Sequence, residues 1–172
     1  MSIKSLKSML SVYALALFII VPSIQAEELS ADQQVAGLEK MCKEAASAIK
    51  NRQAKKSLYL RLGGESKIRT FSTLLYAAHK SNDKISHFFV DSESGPVIEN
   101  LTKFLVVGTG GKGEYKQPSM ENVHRNMKIR NEDFLAAGAD VQSTMKGLEY
   151  GENEIQEMVC ALVSFIPVVV TR

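Results

Sequence analysis

The chain is poor in the residues from which most familiar sites are built. It has three histidines and two cysteines in 172 residues. No glycine-rich loop ends in Lys-Ser/Thr, so nucleotide binding of the P-loop type is excluded. No helix carries the paired histidines of a zinc protease, and no nucleophile elbow is present. Gly108-Thr-Gly-Gly111 has a phosphate loop's composition but follows a helical stretch rather than a strand. There is no internal repeat and no low-complexity tract. Cys42 and Cys160 allow one disulfide at most, or two separate buried thiols, since cysteine also packs as a small hydrophobe.

A surplus of charge is also missing. Lys4 and Lys7 precede an apolar run from Met9 to Val21, then Pro22, Ser23 and the small residue Ala26. That is the layout of a secretory signal peptide over residues 1–26, with cleavage expected after Ala26. Removing those two lysines from 21 basic residues leaves 19, against 19 acidic ones. A mature chain with no net charge has nothing to attract nucleic acid or acidic lipid. Export to a bacterial periplasm is expected, without stable membrane insertion. The alternative is an anchor formed by residues 9–21, although that run is short for a span of about 20 residues.

What is present is a series of amphipathic helices. Residues 27–56 place Val35, Leu38, Cys42, Ala45 and Ile49 on one face and form an N-terminal helical extension. The domain proper covers 57–172. A short helix at Ser57–Leu62 stops at Gly63-Gly64, and a longer one from Glu65 to Lys80 turns Ile68, Phe71, Leu75 and Ala78 inward, with Tyr76 beside them. Pro96 is expected at the first position of the next helix, whose face is Val97, Leu101, Phe104, Leu105 and Gly108. Ser119 caps a short helix carrying His124. Asn131 is expected to cap another with Phe134, Gly138, Val141, Met145 and Leu148 inside. Asn153 and Gln156 resemble a capping box for the last helix. Val168–Thr171 reads like a strand but has no partner, so the fold class is all-α.

His124 is the residue around which a site can be built. Met120 lies four residues before it and Met127 three after, with Val123 beside it. Two readings stand: a core histidine satisfied by backbone carbonyls, or an axial ligand to a metal or haem. A zinc ion would want three or four protein ligands. One imidazole among methionine, phenylalanine and branched aliphatics suits haem, which brings four nitrogens of its own. Covalent c-type attachment is excluded because neither cysteine belongs to a Cys-x-x-Cys-His motif. His79 and His87, beside polar residues near helix ends, read as solvated or locally bonded side chains.

From Ser57 to about Val170 the chain resembles the truncated haemoglobins of group I. Ser57-Leu-Tyr-Leu-Arg-Leu-Gly-Gly64 is similar to the family's opening helix and first double glycine. Ile85-Ser-His-Phe-Phe89 is similar to its Phe-Phe corner, and Gly110-Gly-x-x-x-Tyr115 to its second double glycine and following tyrosine. Val123-His124 with Met127-x-Ile129 is similar to its proximal histidine segment. The resemblance implies a two-over-two helical sandwich around a non-covalent haem b. His124 would be the proximal ligand, Phe89 would pack on the porphyrin and Tyr76 would be the distal hydrogen-bond donor. Val97 and Leu101 match distal positions that hold glutamine in several relatives. Asn100 stands where some relatives carry a second iron-binding histidine.

Phe104, Leu105, Met120, Val123, Met127, Ile129 and Phe134 complete the expected pocket wall, or are ordinary core. The expected function is reversible binding of dioxygen and nitric oxide. The alternatives are a nitric oxide dioxygenase served by an external electron-donor protein, and a haem-free helical interaction module.

Overall fold

The computed structural model describes residues 28–171. The expected signal peptide and the anchor alternative lie outside the described residues. Within them no helix is long and apolar enough to cross a membrane. Eight α-helices and one 3-10 turn are found there, without strands.

Helix α1 spans Ala31–Lys55 and starts at a reciprocal cap. Ser30 Oγ accepts from the Gln33 amide at 3.2 Å while Gln33 Oε1 accepts from the Ser30 amide at 2.8 Å. This satisfies two of the helix's first unpaired donors. Its expected stripe does face the body of the protein, with Val35 buried and Leu38 and Cys42 half-buried.

The short helix α2 is Leu58–Arg61, capped by Ser57. Gly63 and Gly64 follow with φ of +91° and +81°, a region that side chains resist. Helix α3, Glu65–Ser81, buries Ile68, Phe71, Leu75 and Tyr76. Residues Ser86–Phe89 form the 3-10 turn. Helix α4 runs over Ser94–Gly108. It begins two residues before Pro96, so proline sits at the third position, where its missing donor still costs nothing. After α4, Gly110 takes φ +92°. Gly111 passes so close to the Val106 carbonyl that a Cβ would lie 2.7 Å from it.

Helix α5 is the single turn Met120–His124, capped by Ser119. Helix α6 covers Asn131–Gly147, and its cap differs from the expected one. Asn131 is already the first helical residue. The Asp133 carboxylate instead reaches back to the Arg130 amide at 3.0 Å and to the Arg130 guanidinium. Helix α7 spans Glu152–Val163 and starts at Gly151, which leaves Asn153 inside the helix and no Asn153–Gln156 box. The last helix, α8, is Ile166–Val169 with Pro167 in its first turn. Val168 and Val169 of the strand-like run are thus helical and Val170 and Thr171 are not, with Thr171 making one backbone bond to Ile129.

Helices α3 and α4 pack as one pair, α6 and α7 as the other, and α3 crosses α6. The extension α1 lies across α6 and α7. The core between the pairs includes Ile68, Phe71, Leu75, Val141, Met145 and Met158. A disulfide joins Cys42 on α1 to Cys160 on α7, with Cα atoms 5.3 Å apart. Of the two readings open for these cysteines, the bridged one holds. Alongside it Glu157, fully buried on α7, accepts from Arg52 Nε at 2.6 Å and pairs with Arg61. Arg61 also pairs with Glu154.

Candidate functional site

Between the α3–α4 pair and the α5–α6 side lies a cavity of about 520 Å³, inside the range of roughly 300–1,000 Å³ typical of cofactor sites. On one wall stand Tyr76 of α3, Phe89 of the 3-10 turn, and Val97, Leu101 and Phe104 of α4. On the other stand Met120, Val123 and His124 of α5, with Met127 and Ile129 after it and Phe134 on α6. Val123 keeps 52% of its surface exposed and belongs to the rim. Leu105 departs from the expected wall. It is 4% exposed and packs in the core between the helix pairs, because it points a full residue step away from Phe104 around α4.

His124 reaches the cavity from a helix only one turn long. Its Nδ1 lies 2.8 Å from the Met120 carbonyl oxygen. A carbonyl can only accept, so Nδ1 carries a hydrogen, and in the neutral ring Nε2 is then the nitrogen with the lone pair. This is the tautomer a metal-binding imidazole needs, oriented by a carbonyl behind it. Among the described residues Nδ1 is the ring nitrogen with a hydrogen-bond partner.

Across the cavity Tyr76 is 7% exposed. Its hydroxyl donates to the Ser92 carbonyl at 3.1 Å, and Ser92 Oγ lies equally near. Ser92 Oγ in turn donates to the Phe89 carbonyl at 2.8 Å. The Tyr76 ring meets the Phe89 ring edge-on, 6.0 Å between centroids. The hydroxyl is therefore tied to the segment bearing Phe89.

His79 was misplaced by its neighbours in the sequence. It lines the cavity, stacks on Phe89 at 5.5 Å and holds Asp140 at 2.8 Å through Nδ1. Asn82 donates to both oxygens of that carboxylate at 3.0 Å. The available signal was spacing, since His79 follows Tyr76 by three residues on one helix face. His87 lies outside the wall and packs on Phe88. Tyr115 and Asn100 also line the cavity, as does Leu38 from the extension. Burial raises the Tyr115 hydroxyl above its usual range, keeping it neutral. At the α6 end, burial alone would raise the Asp133 carboxyl. Hydrogen bonds from the Arg130 side chain and amide, with Arg130's charge, outweigh it and hold the group below the ordinary range.

The family model for bacterial-like globins matches residues 57–169. The chain belongs to that globin family. Its fold and its relatives are those of the group 1 truncated haemoglobins. It is 28% identical over 101 residues to a group 1 truncated hemoglobin of Tetrahymena pyriformis, covering 59% of this chain and 84% of that one. A similar protein of Synechocystis, GlbN, is 27% identical over 106 residues, with 59% and 86% covered. A crystal structure of the Tetrahymena pyriformis protein, a tyrosine-to-phenylalanine mutant in its Fe(III) form, superposes with a TM-score of 0.66. There the identity is 23%, with 68% of this globin and all of the other covered. The 2/2 hemoglobin of Synechococcus, solved in the cyanomet state with covalently attached heme, gives 0.64 at 22% identity, over 67% and 99% of the two chains.

A globin family implies haem, and the residues here fit one. The cavity has the volume, its walls are largely apolar, and one imidazole nitrogen is left with a free lone pair. Among the described residues no cluster of three or more His, Cys, Asp or Glu side chains could hold a bare ion. A group carrying its own equatorial nitrogens asks for one imidazole only. Both cysteines are engaged with each other, so neither offers a thiol to a vinyl group.

Proposed function

We propose that this globin holds a non-covalent haem b between His124 and the α3–α4 wall and reversibly binds dioxygen and nitric oxide there. The observation that carries the reading is the His124 imidazole. Its Nδ1 is committed to the Met120 carbonyl and its Nε2 is free on the cavity wall. Haem, when bound, supplies a ferrous iron with one coordination position open to a diatomic gas.

The chain's own residues do the rest. His124 Nε2 would hold the metal of a bound haem, and the Met120 carbonyl on Nδ1 would orient the ring for it. Phe89, Phe104 and Phe134 cover the faces and edges of the site and keep water out. Tyr76 is the hydrogen-bond donor opposite. Its single hydroxyl hydrogen now points at Ser92, while the Ser92 hydroxyl gives its own hydrogen to the Phe89 carbonyl. Turning the tyrosine hydrogen to a ligand gives up the Ser92 carbonyl, and Ser92 Oγ can hold the phenol oxygen in its place only by leaving Phe89. A donor in that place favours a ligand that gains negative charge on binding, such as dioxygen, over neutral carbon monoxide. Val97 and Leu101 are apolar and add no second donor from their places on α4.

The test is a haemin titration of the purified chain followed in the Soret region. One equivalent should saturate a sharp band, and reduction under dioxygen should give a spectrum reversed by removing the gas. A flat titration would overturn the reading and leave a haem-free helical module.

A further inference from the structure

The 3-10 turn Ser86–Phe89 contains no buried residue, so core packing does not fix where the Phe89 ring stands. Two residues of α3 hold that ring instead. The His79 imidazole stacks on it with the planes 29° apart, and the Tyr76 ring meets it edge-on at 83°. Tyr76 and His79 are three residues apart, which puts them side by side on one helix face.

The His79 ring is itself fixed from another helix. An ionised carboxylate has no hydrogen to give, so Nδ1 donates to Asp140 of α6 at 2.8 Å. Asn82, directly after α3, donates to both oxygens of that carboxylate, and its own side-chain oxygen accepts from the Lys84 amide at 3.1 Å. That last bond decides which end of the Asn82 amide faces Asp140. The His79 and Asp140 side chains keep only 13% and 17% of their surface exposed. Two apolar side chains of the same bulk would join α3 to α6 as firmly. What the hydrogen-bonded pair adds is a fixed plane for the imidazole, and so for the ring stacked on it.

We propose that His79 and Asp140 are positioning residues for the gas site. They hold Phe89, and through it the Tyr76 hydroxyl, in the place from which that hydroxyl distinguishes dioxygen from carbon monoxide. Neither residue has to touch the ligand. Phe89 is joined to Tyr76 twice, at the ring edge and through Ser92. Ser92 Oγ donates to the Phe89 carbonyl, and the Ser92 carbonyl accepts from the Tyr76 hydroxyl. A shift of the turn therefore moves the partner of the hydroxyl together with the ring. The inference rests on the gas-binding reading for its consequence, while the ring contacts stand without it.

Asp140→Ala is the variant to test, because Asp140 lies on α6 and takes no part in the contact between Phe89 and Tyr76. In the haem-free chain, nuclear Overhauser contacts between the Phe89 and Tyr76 rings should be largely lost in Asp140→Ala. Their full retention would overturn the proposal. On haem-loaded protein, Asp140→Ala should speed dioxygen release by roughly threefold or more and leave carbon monoxide release unchanged. In a Tyr76→Phe background the same substitution should change dioxygen release by less than about 1.5-fold. Equal speeding in both backgrounds, or none in either, would overturn the proposal, since a merely structural loss does not depend on the Tyr76 hydroxyl. Should Asp140→Ala fail to fold, His79→Phe keeps a stacked ring without the tie to α6, and the same results are expected of it. A chain that takes up no haem overturns the gas-binding reading, and the ring contacts then decide the positioning by themselves.

Discussion

Two parts of this globin are held together in opposite ways. The side built from α1, α2 and α7 has a disulfide, a buried glutamate shared by two arginines, and a well-capped first helix. The stretch from Gly110 to Arg130, which carries His124, has a one-turn helix, a serine cap and largely exposed side chains. Its anchors to the body are few, among them buried Ile129 and the bond from Thr171 to the Ile129 carbonyl. Stability thus lies mostly on the side away from the candidate ligand. The segment that would bind metal is left to be ordered partly by what it binds, as sites with low local stability often are.

The largest effect should come from the disulfide. It closes a separation of 118 residues, which the chain-entropy account values at about 5 kcal/mol. Urea unfolding of the Cys42→Ser/Cys160→Ser protein should show a loss of that order, and a loss near zero would break the contrast. Arg61→Ala comes next. It leaves Glu154 and the fully buried Glu157 short of a partner, and removing one member of a buried pair costs roughly 3–5 kcal/mol. Destabilisation below about 1 kcal/mol would mean that Arg52 alone satisfies Glu157.

On the cavity side the effects should be smaller in stability and larger in ligand kinetics. Tyr76→Phe should speed dioxygen release by roughly five- to hundredfold, the equivalent of one hydrogen bond of about 1–3 kcal/mol, with haem content kept. Stopped-flow displacement by carbon monoxide measures it, and an unaltered off-rate would remove Tyr76 from its role.

Asp133→Asn should cost about 1 kcal/mol, as lost helix caps do. The Asp133 carboxyl titrates below its unfolded value, so its contribution is complete above the ordinary carboxylate range. It is lost as pH falls through the lowered folded value. The stability gap between Asp133→Asn and the parent should be flat above about pH 5 and narrow below about pH 4. A gap that widened with acid would reverse the assignment.

Much of this was legible in the chain. The stripes on α3, α6 and α7 follow the helical period closely enough to name the buried faces, and both double glycines mark the corners they occupy. His124 stood out because apolar residues surround it at helical spacing. What escaped was whatever depends on distant partners. Glu157 reads as a surface acid in a polar-apolar helix and is buried because Arg52 and Arg61 meet it from about 100 residues away. His79 reads as a solvated end residue until Asp140, 61 positions on, turns its ring against Phe89. The Asn131 cap failed for a local reason, since the Asp133 carboxylate reaches back to the Arg130 amide and starts the helix one residue earlier, with Asn131 already inside it. Leu105 failed because one residue step turns a side chain by 100° and carries it out of the cavity wall.

The central claim is that one imidazole nitrogen holds the haem, and a cavity variant with an added ligand tests it most directly. In His124→Gly the Soret band of the five-coordinate ferrous protein should disappear, and free imidazole should restore it in a saturable way. The same ferrous spectrum in His124→Gly without imidazole would contradict the assignment.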